Sequence, residues 1–430
     1  MGTVRDETMQ AVATRRRMHY GYVIVVMAML STMGAIGLAR LGYSLILPGM
    51  KDGLGLNFEQ TGQIATGNFI GYLIMALGGG ALAARYGPRI VISLSAFTGG
   101  IFLILTGLAP TFWVAFATRL VTGMGSGGMN VPMLGLLSAW FGARRRGMVS
   151  GIAVAGSSFG LILSGEYLPP LMKGELLPAL LPASTAGWRY GWYALGAYLL
   201  LVAVVTAVFL RNRPEDMGLQ PIGVSRGSAE HALRSSAASD WGRIYRSRAL
   251  WHLAVIYMFF GFSYIVYFTF FAAHLKDRGL TLEEAGAMWG WLGWISVPSA
   301  IVWGSLSDVI GRKYGLAIVF ALLGLACLVF ALATAPQWYF LSLILYGAGG
   351  WSIPGIMAAA SGDYVPPRLA PAALGMITLI FGIGQAVAPW VAGALRDGSG
   401  SFTSSFYISG AIALAGALGA LLLHRPNAWD

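Results

Sequence analysis

Apolar runs of ~20 residues or longer follow one another along nearly the whole chain, broken by short polar stretches. None alternates strictly between apolar and polar positions, as a barrel strand would. Each run therefore reads as a helix able to satisfy its own backbone in lipid. The pattern predicts helices over 19–48, 59–83, 90–108, 111–141 and 147–168, then a sixth that follows a Pro-rich loop at 173–188 and ends near 210. After the polar stretch 211–248 come six more, over 249–273, 284–306, 314–334, 337–361, 372–395 and 402–424. The expected fold is an all-α membrane protein of twelve transmembrane helices in two pseudo-symmetric six-helix bundles. The expected domains are an N-terminal bundle over 1–210, a cytoplasmic linker over 211–248 with a surface helix near Trp241, and a C-terminal bundle over 249–430.

One loop occurs twice. Gly80-Ala-Leu-Ala-Ala-Arg-Tyr-Gly-Pro-Arg89 is echoed by Gly304-Ser-Leu-Ser-Asp-Val-Ile-Gly-Arg-Lys313, offset by 224 residues. Both copies place a glycine at the start, a leucine two on, a glycine seven on and a basic residue nine on. Each lies between two apolar runs, which points to a duplicated helical unit.

Composition sharpens this picture. The chain is 57% hydrophobic and 10% charged, against roughly 25% charged in soluble domains. The net charge of +11 would suggest nucleic acid if it were clustered on a soluble surface. Instead, 20 of the 28 Lys and Arg fall in alternate loops and at the two ends: Arg5, Arg15, Arg16, Arg17, Arg85, Arg89, Arg144, Arg145, Arg146, Arg211, Arg213, Arg226, Arg234, Arg243, Arg246, Arg248, Arg312, Lys313, Arg368 and Arg425. That is the distribution the positive-inside rule requires, with both termini cytoplasmic in a bacterial inner membrane. Cys327 is the single cysteine, which excludes an intrachain disulfide or a cysteine-based metal site. The first apolar run is too long for the h-region of a cleaved signal peptide. No Gly-Lys-Ser/Thr phosphate loop and no nucleophile–base constellation occurs. Neither an enzyme nor ATP-driven transport is expected, and no cofactor or metal is implied.

The two loops resemble the signature between helices 2 and 3, and again 8 and 9, of the major facilitator superfamily. Gly304, Leu306, Asp308, Gly311, Arg312 and Lys313 match its Gly, Leu, Asp, Gly and paired basic residues. Arg119 with Gly123 resembles the superfamily's helix-4 signature. Leu38-Ala-Arg-Leu-Gly-Tyr-Ser-Leu-Ile-Leu-Pro48 is similar to the first helix of the YbfB/YjiJ-type bacterial branch. Arg213-Pro-Glu-Asp-Met-Gly-Leu219 is similar to the linker start of oxalate/formate-antiporter-like and monocarboxylate-porter-like members. The resemblance implies alternating access around a central site, with Gly80, Arg85, Gly87, Arg89, Gly304, Asp308, Gly311, Arg312 and Lys313 as a conformational lock. Ala84 stands where the superfamily carries Asp, so that lock would lean on Asp308. Helix 8 lacks the Arg of monocarboxylate porters, and helix 5 lacks the Gly-Pro of drug antiporters.

Arg40 lies ten residues before Met50, hence ~15 Å deep at 1.5 Å per residue, where a charge costs at least ~2.5 kcal/mol without a partner. Arg119 enters helix 4 to a similar depth from Pro110. Two guanidiniums facing one pocket would suit a carboxylate; a structural ion pair with Glu166, or a packing role for Arg119, is the alternative. Glu166 is the carboxylate placed to carry a proton, unless its nearness to Pro169 and the helix end merely solvates it. Tyr43, Asn68, Tyr72, Asn130, Tyr264, Tyr267, Trp294, Trp351 and Gln385 complete the candidate substrate site. Helix packing and interface anchoring compete for each. His274 reads as an exposed loop residue beside Lys276 and Asp277.

The expectation is a monomeric secondary transporter, in the bilayer, of a small organic anion of carboxylate type. Proton coupling, as in a symporter, comes first and exchange against a counter-anion second. An exporter of amphiphilic or drug-like compounds would be expected to place a carboxylate deep in helix 1 or 4, and there is none. A non-transporting membrane sensor or scaffold of the same fold is the reading from another class; nucleic acid is not an expected partner.

Overall fold

The computed structural model describes residues 18–223 and 241–424, apart from positions 177, 180, 181, 183, 185, 367 and 368. Arg5, Arg15, Arg16, Arg17, Arg226, Arg234, Arg368 and Arg425, and linker positions 224–240, lie outside the described residues.

The first half of the chain forms α1 (Gly21–Leu54), α2 (Phe58–Tyr86), α3 (Pro88–Leu108), α4 (Phe112–Trp140), α5 (Ala143–Lys173) and α6 (Trp188–Phe209). A short helix, Trp241–Arg246, then leads into the second half. There follow α7 (Arg248–Asp277), α8 in two pieces (Leu282–Ser296 and Ser299–Ile310), α9 (Arg312–Leu332), α10 (Pro336–Asp363), α11 (Ala370–Ser399) and α12 (Thr403–Leu421). Among the described residues, 10 helices are long and apolar enough to cross a membrane. The two others are α4, whose Arg119, Thr122, Ser126 and Asn130 dilute its apolar character, and α8, which breaks at Val297–Pro298.

Several helix ends differ from the apolar pattern because caps, and not hydropathy, set them. α1 continues through Pro48 to Leu54 and stops at Gly55, which is left-handed at φ 63°. The gap expected between the helices at 19–48 and 59–83 thus shrinks to three residues, and Asn57 starts α2 with a capping box to Gln60. α5 begins inside the basic run and passes through Pro169 and Pro170 to Lys173. α7 runs on to Asp277, which turns His274 inward; it is buried against Phe330 and Phe406, its Nε2 3.1 Å from the Phe330 carbonyl, and is no exposed loop residue.

Packing repeats between the halves. In the first, α1 packs on α5, α2 on α4 and α3 on α6; in the second the same partners recur as α7 on α11, α8 on α10 and α9 on α12. The halves meet through α2 with α11, α5 with α8, and α1 with α7. Along α2 and α11 the contact descends from Phe58 against Gly393, through Gly62 against Pro389 and Thr66 on the Ala386 carbonyl, to Leu73 against Gly382. Beyond it Leu77 is 68% exposed, and a Cβ added at Gly375 would meet nothing within 4 Å. Along α5 and α8 the contact runs from Gly165 against Gly286 to Ser158 against Gly293, and Gly151 beyond it is open. The halves are therefore zipped from one face to mid-depth and part toward the other.

The parted face carries both ends of the described chain and the start of the segment after α6. His19 reaches the Gln220 carbonyl, Tyr20 that of Phe209, Phe141 bridges to Ile222, and Tyr364 bonds the His424 carbonyl. The zipped face carries ties between the halves: Lys276–Asp52 at 2.8 Å, Lys173–Glu283 at 2.6 Å, and Asp397 accepting from the Phe58 and Glu59 amides at 3.2 and 2.8 Å.

Candidate functional site

The middle of α1 is widened. Met33–Leu41 is a π-helix, whose longer turn leaves carbonyls free for outside donors. Gly37 lets this segment sit against the Gly160 backbone of α5; a Cβ there would meet Ser157 and Gly160 at 2.6–2.7 Å. From α4, Ser126 Oγ donates to the Ala35 carbonyl at 3.1 Å and Arg119 Nη1 donates to the Ala39 carbonyl at 2.8 Å.

Arg40 leaves the π segment toward α2. It is 7% exposed, with its guanidinium 4.1 Å from the Tyr72 ring centroid and 5.0 Å from that of Phe69. Its Nε and Nη2 are buried with no hydrogen-bond partner. Unpartnered buried donors on a cation are costly. Tyr72 accepts from Asn130 Nδ2 at 3.0 Å. From the other half, the Tyr264 hydroxyl stands beside Arg40 and accepts from Gln385 Nε2. Tyr264 belongs to an aromatic stack with Phe260, Phe381 and Tyr257, in which Tyr257 and Phe381 lie 4.2 Å apart. Asn130, Tyr72, Arg40, Tyr264 and Gln385 thus form one polar chain across both halves. It lies at the depth where the zipper between α2 and α11 ends.

Arg119 lies behind this chain, 1% exposed, its guanidinium 5.2 Å from the Tyr43 ring and 4.9 Å from that of Trp192. Tyr43 donates to the Thr61 carbonyl at 2.9 Å, and Asn68 Nδ2 donates to the Arg119 carbonyl at 3.1 Å, where Gly123 lets α2 and α4 touch. Toward the zipped face a cavity of about 10 Å³ is lined by Arg40, Tyr43, Phe69 and Arg119 on one side and by Ile265, Phe268 and Thr269 on the other. That is room for about one water.

Other expected members stand elsewhere. Tyr267 is sealed inside the second half, stacked on Tyr346 at 4.4 Å and bonded to Ser342 at 2.9 Å. Trp294 is 56% exposed on the outside of α8. Trp351 packs on Phe268, its Nε1 buried and unpartnered. Glu166 is on the exposed side of α5, next to the face that Gly165 presses on α8, and Arg40 has aromatic rings where an ion pair was conceivable. Sequence reasoning passed over Phe69, Trp192, Ser126, Phe268 and Phe381. Only Phe69 had a signal, since Ala65, Asn68, Phe69 and Tyr72 share one helix face.

The two loop copies bond within their own halves. Gly87 and Gly311 have φ 87° and 94°, the conformation that favours glycine. Arg89 donates Nε to the Ala207 carbonyl at 2.8 Å and its backbone amide to Asn212 Oδ1 at 2.9 Å, while Arg85 covers Tyr86. Arg312 pairs with Asp308, bonds Ser307 at 2.8 Å and reaches Asp363 at 3.5 Å; Lys313 lines the same recess. Nothing lies within 4 Å of where side chains at Gly80 and Gly304 would begin.

A helical membrane chain with matched halves and a polar site between them has the build of a transporter. The chain belongs to the family described as uncharacterised MFS-type transporter YbfB, within the major facilitator superfamily, whose model matches residues 32–422. It is 28% identical over 408 residues, 90% of each chain, to the probable sulfoacetate transporter of Cupriavidus necator. It is 24% identical over 413 residues to the hexuronate transporter of Bacillus subtilis, covering 90% of this chain and 91% of that one. In fold it is similar to a bacterial homologue of the human lysosomal transporter Spinster, solved in an inward-facing, occupied conformation. That likeness has a TM-score of 0.74 at 17% identity and covers 95% of this chain and 97% of that one. Family and relatives are transporters and not enzymes.

Proposed function

We infer that this protein is a secondary active transporter of a small organic anion, working by alternating access between two six-helix bundles. The observation that carries the reading is Arg40: a guanidinium with two unpartnered buried donors, mid-depth, where the halves meet. An intramembrane charge without an ion-pair partner is a functional-site candidate by default. Sulfoacetate and hexuronate, the cargoes named for the two relatives, are anions that such a group would seat. Twelve crossings, a count that the matched helix pairs of the two halves support, would put both chain ends on one side. The basic loops make that side the cytoplasm of a bacterial inner membrane. The described state is then open to the cytoplasm and zipped toward the outside, with the loop copies disengaged and available to close the parted face in the opposite state. The protein works as a monomer, each chain holding a complete site.

Proton coupling is the first proposal for the driving force, with Glu166 as carrier. Exchange of one anion for another is the second, favoured by the absence of any buried Asp or Glu among the described residues. Trans-stimulation by unlabelled anion at constant pH would select exchange; uptake driven by an imposed pH gradient alone would select protons.

The test of the binding reading is thermal stability of the purified protein against small carboxylates and sulfonates, neutral metabolites and lipophilic cations. A native-state ligand at ~100 times its dissociation constant adds about 2.7 kcal/mol. Stabilisation by anions, lost in Arg40→Gln, is expected. Stabilisation by cations alone would overturn it in favour of an exporter of amphiphilic compounds.

A further inference from the structure

The two deep arginines share more than a depth. Both line the cavity of about 10 Å³ that the two halves close between them. Arg40 keeps Nε and Nη2 buried without a partner. Arg119 spends Nη1 on the Ala39 carbonyl and keeps Nε in the same condition. The rings of Phe69, Tyr72, Tyr43 and Trp192 face the two guanidiniums, which steadies a cation without cancelling its charge. No Asp or Glu is buried among the described residues, so no carboxylate there answers the pair. Two like charges held out of water without a counter-ion are costly.

The size and polarity of the cavity select the counter-ion. A space of about 10 Å³ takes one small group and no organic acid. A water placed there would need acceptors for its own protons. The side-chain acceptors of the lining are two hydroxyls, those of Tyr43 and Thr269, and the rest of it is apolar apart from the two arginines. A monatomic anion only accepts, and it does so from any direction, which suits donors that converge from two residues. We propose that this cavity is a halide site, with chloride held between Arg40 and Arg119. The ion supplies the missing counter-charge until an anionic cargo brings one, and the site does not depend on what the cargo is. Ile265, Phe268 and Thr269, which close the cavity, belong to α7 of the second half. The enclosure is therefore complete only while the halves are zipped, and a ligand that prefers one state holds that state. Chloride steadies the described state against opening of the zipped face.

The experiment is a chloride titration of the full-length purified protein carrying Ser44→Cys. Sulfate, too large for the cavity, holds the ionic strength constant. Ser44 Oγ receives the Ala272 amide at 3.3 Å across the zipped contact, so thiol labelling there reads how often the halves part. Labelling is expected to slow saturably, by about tenfold when chloride stands at ten times its dissociation constant, and bromide should act as chloride does. Arg119→Gln and Arg40→Gln are each expected to abolish the dependence. A labelling rate that is the same throughout the titration would overturn the proposal, because the cavity then takes a water. A dependence that persists undiminished in Arg119→Gln would overturn it as well, since the ion would be bound elsewhere. Should Arg119→Gln fail to fold, the same result in Arg40→Gln decides against it. Loss of the halide effect while organic anions still stabilise the protein removes this inference alone. A halide effect without any stabilising organic anion would remove the cargo reading and leave the halide site standing.

Discussion

Adding one methyl group at Gly62 should open the zipped face. A Cβ at Gly62 would overlap the Pro389 carbonyl of α11, and a Cβ at Gly165 would overlap the Gly286 carbonyl of α8. In both places the obstacle is backbone, which cannot rotate aside as a side chain would. Overpacking of this kind costs about 1–3 kcal/mol per site. The cost falls only on the state in which the halves are zipped, so it shifts the population toward the other state. At 1.4 kcal/mol per tenfold, Gly62→Ala alone should raise the outward-open fraction about 5- to 150-fold while that fraction stays small. Ser44 reports the change: it is buried, and its Oγ receives the Ala272 amide from the other half at 3.3 Å. Cys327, the single cysteine of the chain, is buried and gives little background. The assay is thiol labelling of Ser44→Cys from water, with and without Gly62→Ala or Gly165→Ala. Leu77→Cys, on the lips of the parted face, should label more slowly as the zipped state is depopulated. Unchanged Ser44→Cys labelling in both glycine variants would refute the reasoning. So would a rise accompanied by undiminished Leu77→Cys labelling and a collapsed melting temperature, since that is unfolding.

The remaining expectations concern the ties around this motion and the loop that frames it. Asp397→Ala removes the acceptor of two amides in the first turn of α2; a loss of about 0.5–2 kcal/mol should speed Ser44→Cys labelling by a smaller factor than Gly62→Ala. The exposed pairs Lys276–Asp52 and Lys173–Glu283 are worth about 0–1 kcal/mol each, so raising salt should change that labelling by less than about thirtyfold. Gly87→Ala places a side chain at φ 87° and brings its Cβ to 2.8 Å from Asn212; the melting temperature should fall by an amount equivalent to ~1–2 kcal/mol, and an unchanged value would refute the account of this turn.

Much of the scaffold was legible in the apolar runs, because lipid permits few alternatives to a self-satisfied helix. The repeated loop announced the duplication that the helix pairs display. Rise per residue was enough to put Arg40 and Arg119 at one level, and the structure has Arg119 bonded to the residue before Arg40. Rotation about the helix axis was not legible. The π turn of Met33–Leu41 shifts every later side chain of α1 around the axis, and no composition rule marks it. The same difficulty separates Tyr264, which faces the site, from Tyr267 three residues on, which is buried against Tyr346. It also turns Glu166 outward and His274 inward. Caps account for the misjudged ends: Asn57 and Gly55 fix where α1 stops and α2 starts, though hydropathy changes elsewhere.

Flux through the protein in sealed proteoliposomes tests the central claim most directly. The anion to use is whichever monocarboxylate or sulfonate most stabilises the purified protein. The account predicts saturable uptake without ATP, driven by a proton or counter-anion gradient and abolished in Arg40→Gln, which should remain folded and inserted. No flux of any stabilising anion from correctly inserted wild-type protein, or flux that Arg40→Gln leaves intact, would contradict it.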